Sequence, residues 1–404
     1  MDQNVFFPFW GALLIVLIGW AIGRGISIIS KYIHNKRHTR FINKLKLQEN
    51  DEGYIPVVVN YMLCDEFFRA EALSDYYIVP FPKEKEEKLH SLSFINVDLS
   101  SNNDFRDYDG KVIDALKKSE VKIIIDQDLI DKEAILVADA FIDDIEKGKL
   151  RFNKYLYAVS DVKQTKSSCV IYLYESDYFT FKVMTGLYNK LKNCLRDEQH
   201  RCSYNSLDIP NLTPFLNSIG VGGFVIIDRG YGDELVFGFR SKDSCQSGGY
   251  WHFSYDETFT HDDKKNENRM PSFEGCVLRA IDEELGISDE EQKMCGVMQN
   301  IILFDAGIIK TSGNDNRFEF EVCSFCHVSF SDNYTFGDFC LGYRYAKDSE
   351  IETQTLDFIN IKKDLDVFLE KRKESGEISP EAYHLARTIK LLYDENVLSP
   401  YSWK

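Results

Sequence analysis

Arg279, Glu283 and Glu284 are the charged residues whose spacing most invites a chemical reading. They belong to Ser272 to Ile287, Ser-Phe-Glu-Gly-Cys-Val-Leu-Arg-Ala-Ile-Asp-Glu-Glu-Leu-Gly-Ile. Apolar Phe273, Cys276, Val277, Ala280, Ile281 and Leu285 recur there at helical spacing and predict one buried stripe. Pro271-Ser272 offers a helix start and Gly286 a stop. Off the stripe, Arg279 and Glu283 stand one turn apart, with Glu284 beside Glu283. On pattern alone this is a surface helix with one ion pair worth roughly a few tenths of a kcal/mol. Elsewhere, Cys323-Ser-Phe-Cys326-His327 spells a haem-attachment string. It lies inside the apolar strand pattern of Phe318 to Phe330, and no second cysteine pair stands near it for zinc. Gly220, Gly222 and Gly223 open a strand without the lysine of a phosphate loop. His200, His261, Lys264 and Lys265 have no partners at catalytic spacing.

Around this helix, strands are predicted at Ile219 to Asp228, Leu235 to Ser241, Asn300 to Ile309 and Glu319 to Phe330. Closing helices are predicted at Ile361 to Lys373 and Pro380 to Asn396. Upstream, Ile55 to Val59, Lys122 to Ile125, Tyr155 to Val159, Ser168 to Tyr174 and Tyr178 to Val183 read as strands. Cys64 to Leu73, Lys132 to Lys147 and Met184 to Leu195 read as helices, and Ser100 to Gly110 as a loop. The chain has 404 residues, 44% of them hydrophobic, enough for two or three cored domains. Its net charge of -17 is uneven. Residues 1 to 46 carry seven Lys/Arg against Asp2 alone, leaving 41 basic and 64 acidic residues for the rest. An acidic body of that kind excludes a nucleic-acid polymer as partner. Ten cysteines at this length fit reduced thiols.

The string Arg279-x-Ile281-x-Glu283-Glu284-x-Gly286-Ile287 resembles the second half of the Nudix box. The order of elements around it, from about Leu207 to the carboxyl terminus, is also that of Nudix domains. The resemblance implies a mixed sheet between helices, with Glu283 and Glu284 as ligands of Mg²⁺ or Mn²⁺. It also implies a binding groove for a nucleotide: Trp251 and Phe253 to stack a base, Arg240 or Arg317 for phosphate, and Arg279 at its side. The box departs from the hydrolytic pattern at two positions. Pro271 stands where the upstream glutamate belongs, and Ala280 follows the arginine. Losing a general base costs ~10²–10⁴ in rate. The expectation is therefore binding without efficient cutting, the alternative being a tethered Mg²⁺-dependent hydrolase of a nucleoside diphosphate derivative.

Val5 to Gly23 holds no charged residue, and its apolar character continues to Ile29. That length predicts a transmembrane helix over 5–29, followed by a basic juxtamembrane linker over 30–50. The basic flank places the amino terminus outside and the body in the cytoplasm of a single-pass inner-membrane protein. The remaining expectations are an α/β connector domain over 51–206 and a Nudix-like α/β/α sandwich over 207–404. Together these resemble the membrane-anchored Nudix-like effectors of bacterial cyclic-oligonucleotide (CBASS) anti-phage systems. That resemblance implies a cyclic oligonucleotide or other nucleotide as signal, a homo-oligomer, and a lipid bilayer as target. A structural adaptor acting through the acidic middle region is the third possibility.

Overall fold

Residues Phe318 to Val328 alternate Phe, Phe, Val on one side with Glu319, Glu321, Cys323 on the other, so this strand must serve two different layers. The computed structural model describes residues 53–60, 63–64, 66–91, 127–147, 153–191, 206–213, 215–241, 248–265, 270–311, 317–346 and 353–398. The amino-terminal part of this region contains β1 (Tyr54–Val59), β2 (Phe68–Tyr76), α1 (Lys83–Ser91), α2 (Gln127–Glu146), β3 (Tyr155–Gln164), β4 (Cys169–Asp177), α3 (Tyr178–Leu191) and α4 (Ile209–Leu212). There follow β5 (Ile219–Asp228), β6 (Asp233–Arg240), β7 (Trp251–His252), β8 (Tyr255–Thr258), β9 (Lys264–Lys265), β10 (Met270–Pro271), α5 (Phe273–Leu285) and α6 (Asp289–Met294). After a 3-10 turn at Val297–Gln299 come β11 (Ile301–Lys310), β12 (Phe318–Val328), α7 (Phe336–Tyr345), β13 (Thr353–Asn360), α8 (Leu365–Ser375) and α9 (Pro380–Asp394).

The large sheet runs β1-β11-β12-β5-β6-β13, with β8 added beside β5 and β7 beside β6. Only its β12–β5 pairing is parallel, which makes the sheet mixed. On one face Phe318, Phe320, Val322 and Cys326 join Val221, Val225 and Ile227 in a core closed by the buried stripe of α5. On the other face Glu321 stands opposite Gly220 and Cys323 opposite Gly222, and α9 packs over β1, β5 and β11. One face is oil and the other is polar.

A second sheet, β2-β4-β3, is parallel between β2 and β4 and antiparallel between β4 and β3. Its core residues Ile171 and Leu173, with Val183 of α3, are continuous with the larger core. It also braces the loop before the Arg279 helix. The Tyr157 amide donates to the Phe259 carbonyl at 3.2 Å, and the Tyr157 ring stacks on His261 at 4.8 Å.

Several expectations need correction. Among the described residues no helix is long and apolar enough to cross a membrane. This overturns the fold class that included a transmembrane helix and the single-pass inner-membrane localisation with a cytoplasmic body. The stretch 5–29 and the linker 30–50, on which both rested, lie outside the described residues, as do Lys122 to Ile125, Ser100 to Gly110 and His200. Cys64 to Leu73 is no helix: Phe68–Tyr76 is a strand paired with Cys169–Asp177. Pairing with a buried neighbour overrides the weak helical preference of Arg-Ala-Glu-Ala-Leu. Tyr178 to Val183 is the first half of α3 rather than a strand. The Asp177 carboxylate accepts the Thr180 amide at 2.7 Å and starts the helix there. Thr353–Asn360, where the pattern predicts no strand, pairs with β6 at the edge of the sheet.

Candidate functional site

The Arg279 helix, α5, forms for reasons visible in its ends. The Ser272 hydroxyl accepts the Gly275 amide at 3.2 Å, and Gly286 closes the helix in the left-handed region with φ 65°. A Cβ on Gly286 would also fall onto the Gly342 backbone of α7. Gly286→Ala is therefore expected to cost at least roughly 1–2 kcal/mol from backbone conformation alone, read as a lower urea midpoint.

Arg279 is the hub of this side. Its Nε and Nη2 donate to the two carboxylate oxygens of Asp263 at 2.7 and 2.9 Å, and Nη2 also donates to the Thr258 carbonyl at 2.8 Å. Its Nη1 faces Glu257 at 3.2 Å and Glu283 at 3.3 Å. Burial works against the Arg279 charge, but the Asp263 hydrogen bonds more than offset it and raise its pKa. No spacing rule in the sequence points to Asp263. Fixed spacing points to Pro271, which sits in β10 paired with Lys264. The β9–β10 hairpin spans the intervening residues, and the Ser272 amide donates to the Asp263 carbonyl at 2.8 Å. An aspartate sixteen positions upstream thus reaches the arginine across a turn. Only knowledge of that turn reveals it.

The two glutamates of the motif face different ways. Glu284 is buried, and its Oε1 accepts the Asp256 amide of β8 at 2.6 Å. Glu283 is partly exposed and paired with Arg279. Ala280 is fully buried in the apolar stripe. Among the described residues no group of three or more His, Cys, Asp or Glu is arranged to hold a metal ion. A Mg²⁺ ion wants several oxygen ligands converging octahedrally. One carboxylate held by a backbone amide and one held by an arginine do not supply that set, so these residues do not fit the metal that the resemblance implies. A cleft of about 510 Å³ beside the carboxyl end of the helix is walled by Asp282, Glu283, Glu291 and Asp338. Four carboxylates repel phosphate.

The opposite face of the sheet gathers Arg240, Arg317, His252, Asp256, Glu319, Glu321 and Glu381 beneath α9. Arg240 pairs with Asp256 at 3.4 Å; His252 Nε2 lies 3.0 Å from Glu381 Oε1 and 3.6 Å from Asp256. Arg317 binds the same Glu381 oxygen and stands 3.3 Å from Glu319. Gly220 and Gly222 leave the room that the Glu321 carboxylate and the Phe253 ring fill. Burial alone would raise the Glu381 carboxyl, but the Arg317 guanidinium and His252 override it and hold it well below the usual carboxylate range. Burial pushes Glu319 up to about 7 despite Arg317. Burial, with Asp256, Glu319 and Glu381 nearby, lifts Glu321 well above its ordinary value. Three buried atoms of this layer have no hydrogen-bond partner among the described residues: Glu321 Oε1, Glu381 Oε2 and His252 Nδ1. Next to it the Tyr54 hydroxyl donates to Asp305 at 2.6 Å, with His384 3.5 Å from the other Asp305 oxygen.

The structure therefore brings Arg240 and Arg317 into one layer and leaves Arg279, Glu283 and Glu284 on the other side. Phe253 is buried edge-on against Phe224 at 5.4 Å. Trp251 is half-buried between Phe239 and Phe368, with Arg372 over its ring at 5.1 Å. Cys323 and Cys326 point to opposite faces of β12, both buried, which excludes a shared haem or metal.

No protein-family model matches the chain, and no curated protein matches it. Solved structures to which it is similar include Nudix proteins. The Nudix domain of Shewanella oneidensis NrtR, complexed with ADP-ribose, is 12% identical with a TM-score of 0.27, covering 45% of this chain and 88% of that one. A Nudix hydrolase from Alicyclobacillus acidocaldarius is 12% identical, TM-score 0.27, covering 42% and 89%. A Nudix-family hydrolase from Clostridium perfringens is 14% identical, TM-score 0.22, covering 43% and 97%.

Proposed function

We propose that this chain binds a nucleotide derivative through a Nudix-like domain whose box has been turned from metal binding to structural support. Residues 51–206 are, in this proposal, a connector that lends β1 to the larger sheet and braces 207–404 through the Tyr157–His261 contact. The observation that carries the reading is the fate of the two motif glutamates. Glu284 accepts a backbone amide of β8 and Glu283 pairs with Arg279, so both serve the loop–helix junction. With Ala280 and Pro271 at the remaining positions, the motif itself supplies neither a converging ligand set nor a base among the described residues. The polar layer under α9 supplies what recognition needs: buried, charged and hydrogen-bonding side chains held by one another.

The membrane-breaching part of the effector expectation depended on the anchor and goes no further. A cyclic oligonucleotide remains one nucleotide among several to test. Calorimetry on the full chain should cover mononucleotides, ADP-ribose, nucleoside diphosphate sugars, and cyclic di- and trinucleotides, with and without Mg²⁺. Binding of at least one class is expected, with affinity unchanged by Mg²⁺ and no product formed. Mg²⁺-dependent turnover that disappears in the Glu283→Gln/Glu284→Gln protein would instead establish the hydrolase. Silence across the whole panel would favour the adaptor.

A further inference from the structure

We infer that the layer between the glycine-rich start of β5 and helix α9 takes the uncharged, hydrogen-donating end of the ligand, its nucleoside, and leaves the phosphates outside. This rests on the nucleotide reading above and adds the ligand's orientation and the chemistry that selects it. A buried carboxyl oxygen with no partner is costly, because it has lost water and gained nothing in exchange. Here two such oxygens, Glu321 Oε1 and Glu381 Oε2, occur in one layer with the unpartnered His252 Nδ1. All three side chains are at most 1% exposed.

Each fixed group narrows the choice. Glu381 Oε1 is occupied by Arg317 and His252, which pin the carboxylate in place. Its second oxygen can therefore only accept. Glu321 has Gly220 and Gly222 beneath it, and no described side chain reaches its Oε1. Arg240 faces Asp256, and Arg317 faces Glu319 and Glu381, so both guanidiniums already carry carboxylates. A phosphate entering this layer would meet Asp256, Glu319 and Glu381 before any cation free to receive it. An N–H or O–H group meets the acceptors it lacks. In a nucleotide those donors are the amine and ring N–H of the base and the hydroxyls of the ribose. Both sources share one chemistry, and experiment separates them.

The test uses the full chain and calorimetry with the four ribonucleosides, their 2′-deoxy forms, inosine and inorganic pyrophosphate. At least one ribonucleoside is expected to bind without any phosphate, and pyrophosphate should neither bind nor compete. Weaker binding of inosine than guanosine assigns the free oxygens to the base amine. Weaker binding of the deoxy forms assigns them to the ribose. Glu321→Met, which keeps the side chain's length and removes both oxygens, should weaken nucleoside binding about tenfold, the loss of one good hydrogen bond. If nucleotides and pyrophosphate bind while nucleosides do not, the orientation is reversed; the assignment falls and the nucleotide reading stands. If nothing in either panel binds, both fall. Nucleoside affinity identical in the Glu321→Met protein also overturns the assignment.

Discussion

Glu381→Ala is expected to destabilise the protein by roughly 3–5 kcal/mol, the usual loss when one partner of a buried ion pair is removed. Glu381 is fully buried at the start of α9, and a single oxygen holds both Arg317 and His252. Its removal takes a carboxylate from a guanidinium that is itself only 2% exposed and that also pairs with Glu319, near half-ionised at neutral pH. The desolvated positive charge then loses the partner whose carboxyl is held well below the usual range. Replacing both partners by apolar residues, as in Arg317→Met/Glu381→Leu, should recover most of the loss, because a matched apolar pair needs no compensation. Chemical denaturation of the two variants checks this. A cost below about 1 kcal/mol for Glu381→Ala would show that water reaches the layer and screens it.

Glu321→Gln should act in the opposite direction and stabilise the protein in neutral and alkaline solution. The Glu321 acid is raised by burial and by neighbouring carboxylates, so the folded chain keeps its proton where the unfolded chain has released it. For a raised acid the stabilisation is complete below the unfolded value, near 4.3, and is lost as pH climbs toward the folded value. Glu319, raised to about 7, adds a second loss across the same window. Stability should therefore fall between about pH 4.5 and pH 7. A glutamine carries no proton to lose. At pH 8 the variant should have the higher urea midpoint. At pH 4 the two proteins should unfold alike. Urea midpoints at both pH values decide it; equal midpoints at pH 8 would mean the Glu321 acid is not buried in solution.

These consequences separate the parts of the molecule that a sequence displays from those it hides. Strands β5, β6, β11 and β12 are legible because each buries most of its residues, leaving long runs of Val, Ile and Phe. Helix α5 carries its own stripe, start and stop. The charged layer under α9 is only half legible. Arg240 and Arg317 stand out in the sequence as phosphate partners, but their real partners are carboxylates, some far away in the chain: Glu381 is 64 residues from Arg317 and 129 from His252. A hint is present in Glu319-Phe-Glu321, two acids alternating with aromatics in an otherwise apolar strand, and in the glycines they need opposite them. Asp263 has no such hint, because its position depends on a hairpin of low regularity. Phe68–Tyr76 and Tyr178–Val183 exchange helix and strand between expectation and structure, since their local preferences are weak and distant neighbours decide.

Strand β1 has a further consequence. Residues Tyr54 to Val59 pair along β11, and the Lys310 amide donates to the Gly53 carbonyl at 2.6 Å. Ile301-Ile302-Leu303-Phe304 and Ile308-Ile309 make β11 one of the most apolar strands in the chain. Without β1 it would be a bare sheet margin with unpaired amides, the kind of margin along which separate molecules stack into aggregates. Any protease cut or truncation that frees the region after residue 206 from its first strand removes that cover. It removes the Tyr54 hydroxyl from Asp305 as well. That margin of the carboxyl-terminal half is thus covered by six residues from the far end of the body.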